Sequence, residues 1–495
     1  MRLYLYGHEY KYAVEQMLLT LFPNERPEYP EGRPAGDRME IRLSRAGRRT
    51  TASCVYHRGT ERFQGRAAAD NASLGGKLTT DRKCQRLVKN AIYRAALSSG
   101  VPEPVWGALT GVRPGKLLAG LLEQGLDERE ALRQFRSEYR VSPERAALCL
   151  DASRHTLAAR HSLAVRDICL YVGIPFCPTR CASCSFVSQS VEKSMKLIPP
   201  FLDALEREIA AVAAQVRALG LRVVSIYMGG GTPTTLNAKE LERLCAKLEA
   251  EFDLSALREY TVEAGRPDTI TRERLQVLRA HGVDRVSVNP QTMSDAVLEA
   301  IGRKHTAAET VEKYQLARRM GFDNINMDLI AGLPGDTPEG FAATLDRAIA
   351  LAPENITVHT LALKRSSELS AENGASSAGR QDAAPYGTPE MLAYSAAALP
   401  AAGYDPYYMY RQSKSAGNLE NVGWTTPGRA CLYNVYMMEE LHSVLAVGGG
   451  AVTRLVDQQD GRIARVYNFK YPYEYIGRFE EQSGRKDEIR TFYGR

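Results

Sequence analysis

The chain has 495 residues, 44% of them hydrophobic, enough for a large core and two or three domains. Its net charge is +6 with 25% of residues charged, and the basic residues run through the chain rather than in blocks, so a nucleic-acid arm is not indicated; an anionic small substrate suits the modest basic bias. Charge breaks the apolar residues near Met1 too early for a signal peptide, and no stretch of about 18 apolar residues occurs, so a cytoplasmic protein with neither membrane nor nucleic-acid partner is expected.

Residues 3–6 and 39–43 read as short strands and residues 12–21 as a helix, in a region rich in Arg and Gly. From Lys77 to about His161 the pattern is helical, with Val88, Ile92, Ala95 and Leu97 leading to a connecting stretch at 106–115. Residues 1–162 are taken as one N-terminal α+β module without an assigned role. From Ile168 short apolar strands alternate with amphipathic helices, the strands at 168–174, 223–228, 259–263, 285–289, 324–330 and 355–361. Six such units without a dinucleotide glycine fingerprint predict an α/β fold, a partial (β/α)6 TIM-like barrel over 163–400, whose chemistry belongs at the strand C-termini. Residues 366–388 read as a long loop, and the tyrosine-rich residues 401–495 as a smaller C-terminal region covering the substrate.

Nine cysteines are present, and three of them, Cys177, Cys181 and Cys184, crowd into the loop after the first barrel strand. That is cluster chemistry rather than a disulfide framework. Three thiolates can hold three corners of a cubic iron–sulfur cluster and leave one iron open to the amino and carboxylate groups of a small molecule. Zinc, the alternative, would want a fourth ligand at hand, and His155 and His161 lie before the strand, on the wrong side of it.

The CX3CX2C spacing resembles the signature of the radical S-adenosylmethionine (SAM) enzymes and matches it fully. The resemblance implies a 4Fe-4S cluster on Cys177, Cys181 and Cys184, SAM as cofactor, and a 5′-deoxyadenosyl radical that takes hydrogen from substrate. It also implies a low-potential electron donor such as flavodoxin or ferredoxin. Tyr171 and Phe186 look like the cluster-side and adenine-side aromatics of the family. Gly229, Gly230 and Thr232, in the glycine triplet at the second strand end, resemble its methionine-amino-group motif. Glu263, Gln291, Arg303 and Asp328 sit one per successive strand end, and Arg303 could pair bidentately with the cofactor carboxylate.

Together these resemble the oxygen-independent coproporphyrinogen III oxidase branch over about residues 165–455, including the glycine motif at 448–451. The N-terminal module and the stretches 106–115 and 418–423 look like the HemZ-type coproporphyrinogen dehydrogenases. The implied reaction is oxidative decarboxylation of two propionates of coproporphyrinogen III to vinyls, giving protoporphyrinogen IX in haem biosynthesis. Arg365, Arg411 and Lys414 are candidates to meet substrate carboxylates. Two positions depart from the pattern: Gly173 stands where well-known members have histidine, and Phe186 where the bacterial oxidases have a further cysteine. Phenylalanine there is shared with haem chaperones built on the same scaffold, so a haem chaperone and a radical SAM enzyme acting on another substrate stand as alternatives. His442 followed by Ser443, without the chaperones' His-Asn pair, favours the enzyme.

Overall fold

The computed structural model describes residues 1–73, 75–179, 189–190, 194–362, 387–412, 418–458 and 460–494. Alternating burial builds the first sheet: Met39, Ile41 and Leu43 on β2 (Arg38–Ala46) point inward with Thr50, Ala52, Cys54 and Tyr56 on β3 (Arg49–Arg58). β1 (Arg2–Tyr6) pairs parallel with β2, and β4 (Glu61–Asp70) pairs antiparallel with β3, in the order β1-β2-β3-β4. The helix Lys77–Ser98 packs on β3 and β4 and the helix Lys11–Leu21 packs on that helix. Their apolar sides form a cluster of their own, from Leu3 to Ala108. β3 and β4 are not separately legible, because most of their inward positions, Thr50, Ala52, Cys54, Gly65, Ala67 and Ala69, are small and Tyr56 and Phe63 are the only large apolar ones.

The barrel strands fall within two residues of their expected bounds: β5 (Asp167–Ile174), then, after the short pair β6 (Phe176–Cys177) and β7 (Gln189–Ser190), β8 (Arg222–Gly230), β9 (Glu259–Val262), β10 (Arg285–Ser287), β11 (Ile325–Ala331) and β12 (Asn355–Thr360). β5 and β8 to β12 are parallel and adjacent in chain order. Strands buried on both faces require helices outside, and two of these start with capping boxes, Asn237 with Glu240 and Thr306 with Glu309. The result is a six-unit half barrel. The expected loop 366–388 lies outside the described residues up to Gly387, and Thr388 already opens the helix Thr388–Ala401.

The C-terminal part of the chain extends this sheet at both edges. β14 (Glu420–Thr425) pairs antiparallel with β12, and β13 (Asp405–Arg411) with β14. At the other edge β15 (Val444–Gly448) lies parallel to β5, followed by β16 (Val452–Val456) and β17 (Ile463–Tyr467), giving eleven strands in all. Between the edges stand the helices Pro114–Glu123 and Pro143–His161, both packed on β13, and the helix Leu432–Glu439. Trp106, Leu118, Phe135 and Cys149 share the barrel's core.

The stretch 106–116 is fastened to both edges. Trp106 Nε1 donates to Glu420 Oε2 at 2.7 Å, Arg145 meets the other oxygen of Glu420 at 2.7 Å, and Arg113 and Lys116 reach Glu440 at 2.7 and 3.0 Å. Arg411 belongs to the same fastening: its guanidinium lies 5.0 Å from the Trp106 ring centroid and donates to the carbonyls of Leu109 and Asn418. Buried and spent on backbone, Arg411 does not face a substrate carboxylate. Arg365 and Lys414 lie outside the described residues. No helix among the described residues is long and apolar enough to cross a membrane.

Candidate functional site

β5 runs out at Ile174, and Pro175 turns the chain into β6, which ends on Cys177. Cys177 is buried, its Sγ 3.5 Å from Thr232 Oγ1. The turn after β8 is bonded to this segment: Gly231 N donates to Ile174 O at 2.8 Å and Thr232 N to Phe176 O at 2.7 Å. The approach is possible because position 231 lacks a side chain; a Cβ there would lie 2.4 Å from the carbonyl oxygen of Phe176. Cys181, Cys184 and Phe186 lie outside the described residues.

Two further elements hold the root of the cysteine loop. Arg266, after β9, is buried, forks onto Asp268 at 3.0 and 2.8 Å, and donates its remaining nitrogen to Thr179 O at 3.2 Å. Its sequence, Gly265-Arg266-Pro267-Asp268, carried the signal, an arginine two residues before an aspartate at a strand end, but only Glu263 had been singled out there. On the other side Gly448, at φ +97°, sits so near β5 that a Cβ would lie 2.1 Å from Gly173 O. Gly173 is itself tight, with Gly449 O 3.1 Å from where its Cβ would be, so this packing explains the departure at 173.

Inside the half barrel Tyr171, Tyr227 and Tyr433 stack, with ring centroids 4.3 Å apart for Tyr227 and Tyr433 and 6.1 Å for Tyr171 and Tyr433. Tyr227 donates to Glu263 Oε1 at 2.6 Å. Burial, with the charge of Asp328 adding, pushes the Glu263 carboxyl up to about 7 against the pull of the Tyr227 hydroxyl. A Cβ on Gly229 would lie 2.9 Å from Glu263 Oε2, so the glycine turn and Glu263 share one face.

Gln291 is buried in the left-handed region at φ +67°, its backbone bonded to Asp328 O and Ile330 N, which turns the chain sharply at the end of the fourth strand. Asp328 accepts from Asn289 at 2.8 Å and Asn326 at 2.7 Å, with His359 Nε2 3.7 Å away. Burial would raise its carboxyl, but His359 and Asn326 outweigh that and hold it below the ordinary carboxylate value. Asn289 and His359 had not been singled out from the sequence.

Arg303 differs from these in being unsatisfied: its Nε and Nη1 are buried with no hydrogen-bond partner, as are both ring nitrogens of His305. Burial, then the charge of Arg303, pushes His305 down to about 4. A guanidinium with two idle nitrogens in the connection after Gln291 has the donors to take a carboxylate. Cys177, Gly229, Gly230, Thr232, Glu263 and Gln291 thus lie at or just past strand ends, Tyr171 and Asp328 three residues inside β5 and β11, short of the strand end expected for Asp328, and Arg303 in the connection after Gln291.

The geometry is that of a half barrel with a cysteine loop at its first strand end, and the Radical SAM superfamily is matched over residues 171–348. An oxygen-independent coproporphyrinogen-III oxidase-like protein HemZ of Bacillus subtilis is 39% identical over 416 residues, 82% of each chain. The oxygen-independent coproporphyrinogen III oxidase of Escherichia coli is 36% identical over 40% of this chain and 42% of its own, and the haem chaperone HemW of B. subtilis 35% identical over 39% and 49%. The solved structure of the E. coli coproporphyrinogen III oxidase HemN, a radical SAM enzyme, superposes with a TM-score of 0.51 at 27% identity, covering 66% of this chain and 72% of that one.

The chain belongs to the radical SAM superfamily and, within it, to the family of the oxygen-independent coproporphyrinogen III oxidase-like protein HemZ. Its cofactors are those of the superfamily, a 4Fe-4S cluster and SAM.

Proposed function

We propose that the protein is a cytoplasmic enzyme that converts coproporphyrinogen III to protoporphyrinogen IX by oxidative decarboxylation of two propionates, drawing electrons from a low-potential donor such as flavodoxin or ferredoxin. The observation that carries this reading is the 39% identity to the coproporphyrinogen oxidase-like HemZ, which extends over 82% of the chain and so well beyond the residues 171–348 of the superfamily match. The HemW of B. subtilis matches over 39% of the chain and that of E. coli over 63%, the latter at 27% identity.

In this reading Cys177, Cys181 and Cys184 are the three protein ligands of the cluster, whose fourth iron takes the amino and carboxylate groups of SAM. The cluster and SAM together supply one-electron reductive cleavage and a carbon radical able to take hydrogen from an unactivated position. The chain's own residues hold that cofactor. Gly229, Gly230 and Thr232 offer backbone where a side chain would obstruct. Glu263 would accept from the N–H of the amino group, Arg303 would supply its two idle nitrogens to a carboxylate, and Asp328 and Gln291 would present polar groups to the adenosyl part. By resemblance Tyr171 would serve the cluster side and Phe186 the adenine side of that cofactor. Thr232 and Arg266 hold the root of the cysteine loop at Cys177 and Thr179.

Arg303→Ala is expected to weaken SAM binding by about tenfold or more, the scale of a charge-assisted pair, with cluster iron content unchanged. Equilibrium dialysis with labelled SAM reads the first and iron analysis the second; unaltered binding removes Arg303 from the site.

A pH dependence follows from Glu263. Its carboxyl, raised to about 7, is neutral below that pH and then offers the amino N–H of SAM a weaker, uncharged acceptor. SAM affinity is therefore expected to fall as pH drops through about 7, and Glu263→Gln to be weak and flat across the same interval. A wild-type profile as flat as that of the variant would exclude this pairing.

The reaction itself is tested by anaerobic turnover of the reconstituted protein with coproporphyrinogen III, SAM and a strong reductant. Protoporphyrinogen and 5′-deoxyadenosine rising in proportion support the decarboxylase. Deoxyadenosine alone, together with tight haem binding in a parallel titration, replaces it with the chaperone.

A further inference from the structure

The net charge of +6 conceals an asymmetry: residues 1–98 hold 18 Lys and Arg against 10 Asp and Glu, and the rest of the chain holds 46 against 48. The fold gathers this excess on one surface. The two helices of residues 1–98, Lys11–Leu21 and Lys77–Ser98, lie on one side of the four-stranded sheet, over Met39, Ile41, Ala52 and Cys54. The strand register then puts Arg38, Glu40 and Arg42 of β2 beside His57, Val55 and Ser53 of β3, and these beside Arg62, Gln64 and Arg66 of β4, on the side without helices. Arg42, Arg62 and Arg66 are exposed there, and the guanidinium of Arg42 lies 4.4 Å over the Tyr6 ring.

The basic surface continues around the end of the sheet. Arg45 and Arg48, at the β2–β3 turn, are exposed. Asn71 bonds to Gly47 O at 3.0 Å and to the Thr50 hydroxyl at 2.6 Å, which ties that turn to the start of the helix carrying Lys77 and Arg82, both exposed. Arg45 reaches Cys84 of the same helix at 3.5 Å. Among the described residues none of Arg42, Arg45, Arg48, Arg62, Arg66, Lys77 and Arg82 has a carboxylate within 4.0 Å, whereas Arg38, Arg58 and Arg86 of the same module do.

Unpaired cations this close raise one another's energy, and a string of anions relieves it. Six of the seven are arginine, whose fork matches phosphate oxygens, and they follow a line across a sheet face and round its end rather than converging on one point. A tyrosine ring beneath a guanidinium on an open four-stranded sheet is the arrangement on which bases and backbone of an RNA or a single strand settle. We propose that residues 1–98 bind the phosphodiester backbone of a nucleic acid across the open face of the β1–β4 sheet and the β2–β3 turn.

The test uses the full chain and fluorescence anisotropy with labelled single-stranded and duplex RNA and DNA of about 20 nucleotides, long enough to cross the module. Binding is expected to weaken with salt, with a log–log slope near −3 to −5, as for about four to six phosphate contacts. The triple variant Arg42→Glu, Arg48→Glu, Arg62→Glu is expected to lose at least about tenfold in affinity, and the same positions changed to Lys to keep most of it, with cluster content unchanged in both. The relative affinities of the four oligonucleotides then identify the form bound. Three results would each overturn the proposal: no binding to any of them at low salt, equal affinity of the glutamate variant, or competition by polyglutamate as effective as by RNA, which would assign the surface to an acidic protein.

Discussion

Replacing Cys177 by alanine is expected to give a folded protein that binds no four-iron cluster and cleaves no SAM. Cys177 ends β6 with its sulfur 3.5 Å from the Thr232 hydroxyl, and trimming it to alanine removes a single sulfur atom, which is expected to cost the fold little. The cluster, in contrast, loses one of three protein ligands, and the remaining two thiolates cannot hold a cubic core whose fourth iron is already without a protein ligand. Iron and sulfide analysis after anaerobic reconstitution, with circular dichroism as the control for folding, reads both halves of the expectation. The same loss is expected for Cys181→Ala and Cys184→Ala. Full iron content with SAM cleavage in any of the three would displace that residue from the ligand set, and the assignment of the site with it.

How legible this site was depended on whether a residue acts through its spacing or through its neighbours. The cysteines and the glycine turn are read from spacing alone, since a three-thiolate loop after a strand and glycines at the next strand end leave few other uses. The barrel strands were equally plain, because strands buried on both faces are short continuous apolar runs such as Leu170 to Ile174. Arg266 and Asn289 act through partners brought up by the fold, Thr179 from the first strand end and Asp328 from the fifth, and no local pattern marks such pairs. Arg411 shows the reverse error. Its place beyond the sixth strand suggested a substrate contact, and the fold instead buries it over Trp106, some 300 residues away in the chain, as the Arg411 Nη1 bond to Leu109 reflects. The charge of the N-terminal module was visible in the composition of its residues but not in the average over the whole chain.

Lys486→Met is expected to destabilise the protein by about 3 to 5 kcal/mol, the cost of leaving a buried charge without its partner. Lys486 and Glu208 are both fully buried, Nζ 3.3 Å from Oε1, and the lysine also donates to Ala446 O at 2.6 Å. Glu208, on the helix Ile198–Ala218, is where three further groups meet: Gly448 N at 2.8 Å, Asn468 Nδ2 at 2.9 Å and the Tyr475 hydroxyl at 2.6 Å. One carboxylate thus joins the helix after the cysteine loop, the last turn of β15 and the C-terminal helices. Removing only the cation leaves that carboxylate buried without a counter-charge, held by its three neutral donors alone, whereas the double variant Glu208→Gln, Lys486→Met removes both charges and is expected to recover a large part of the loss. Chemical denaturation of the three variants measures this directly. Because the Gly448 amide bond to Glu208 also sets how closely Gly448 packs on Gly173, at the root of the cysteine loop, the single variant is expected to lose cluster more readily than the double. Equal cluster retention in the two would confine the ion pair to stability and separate it from the site.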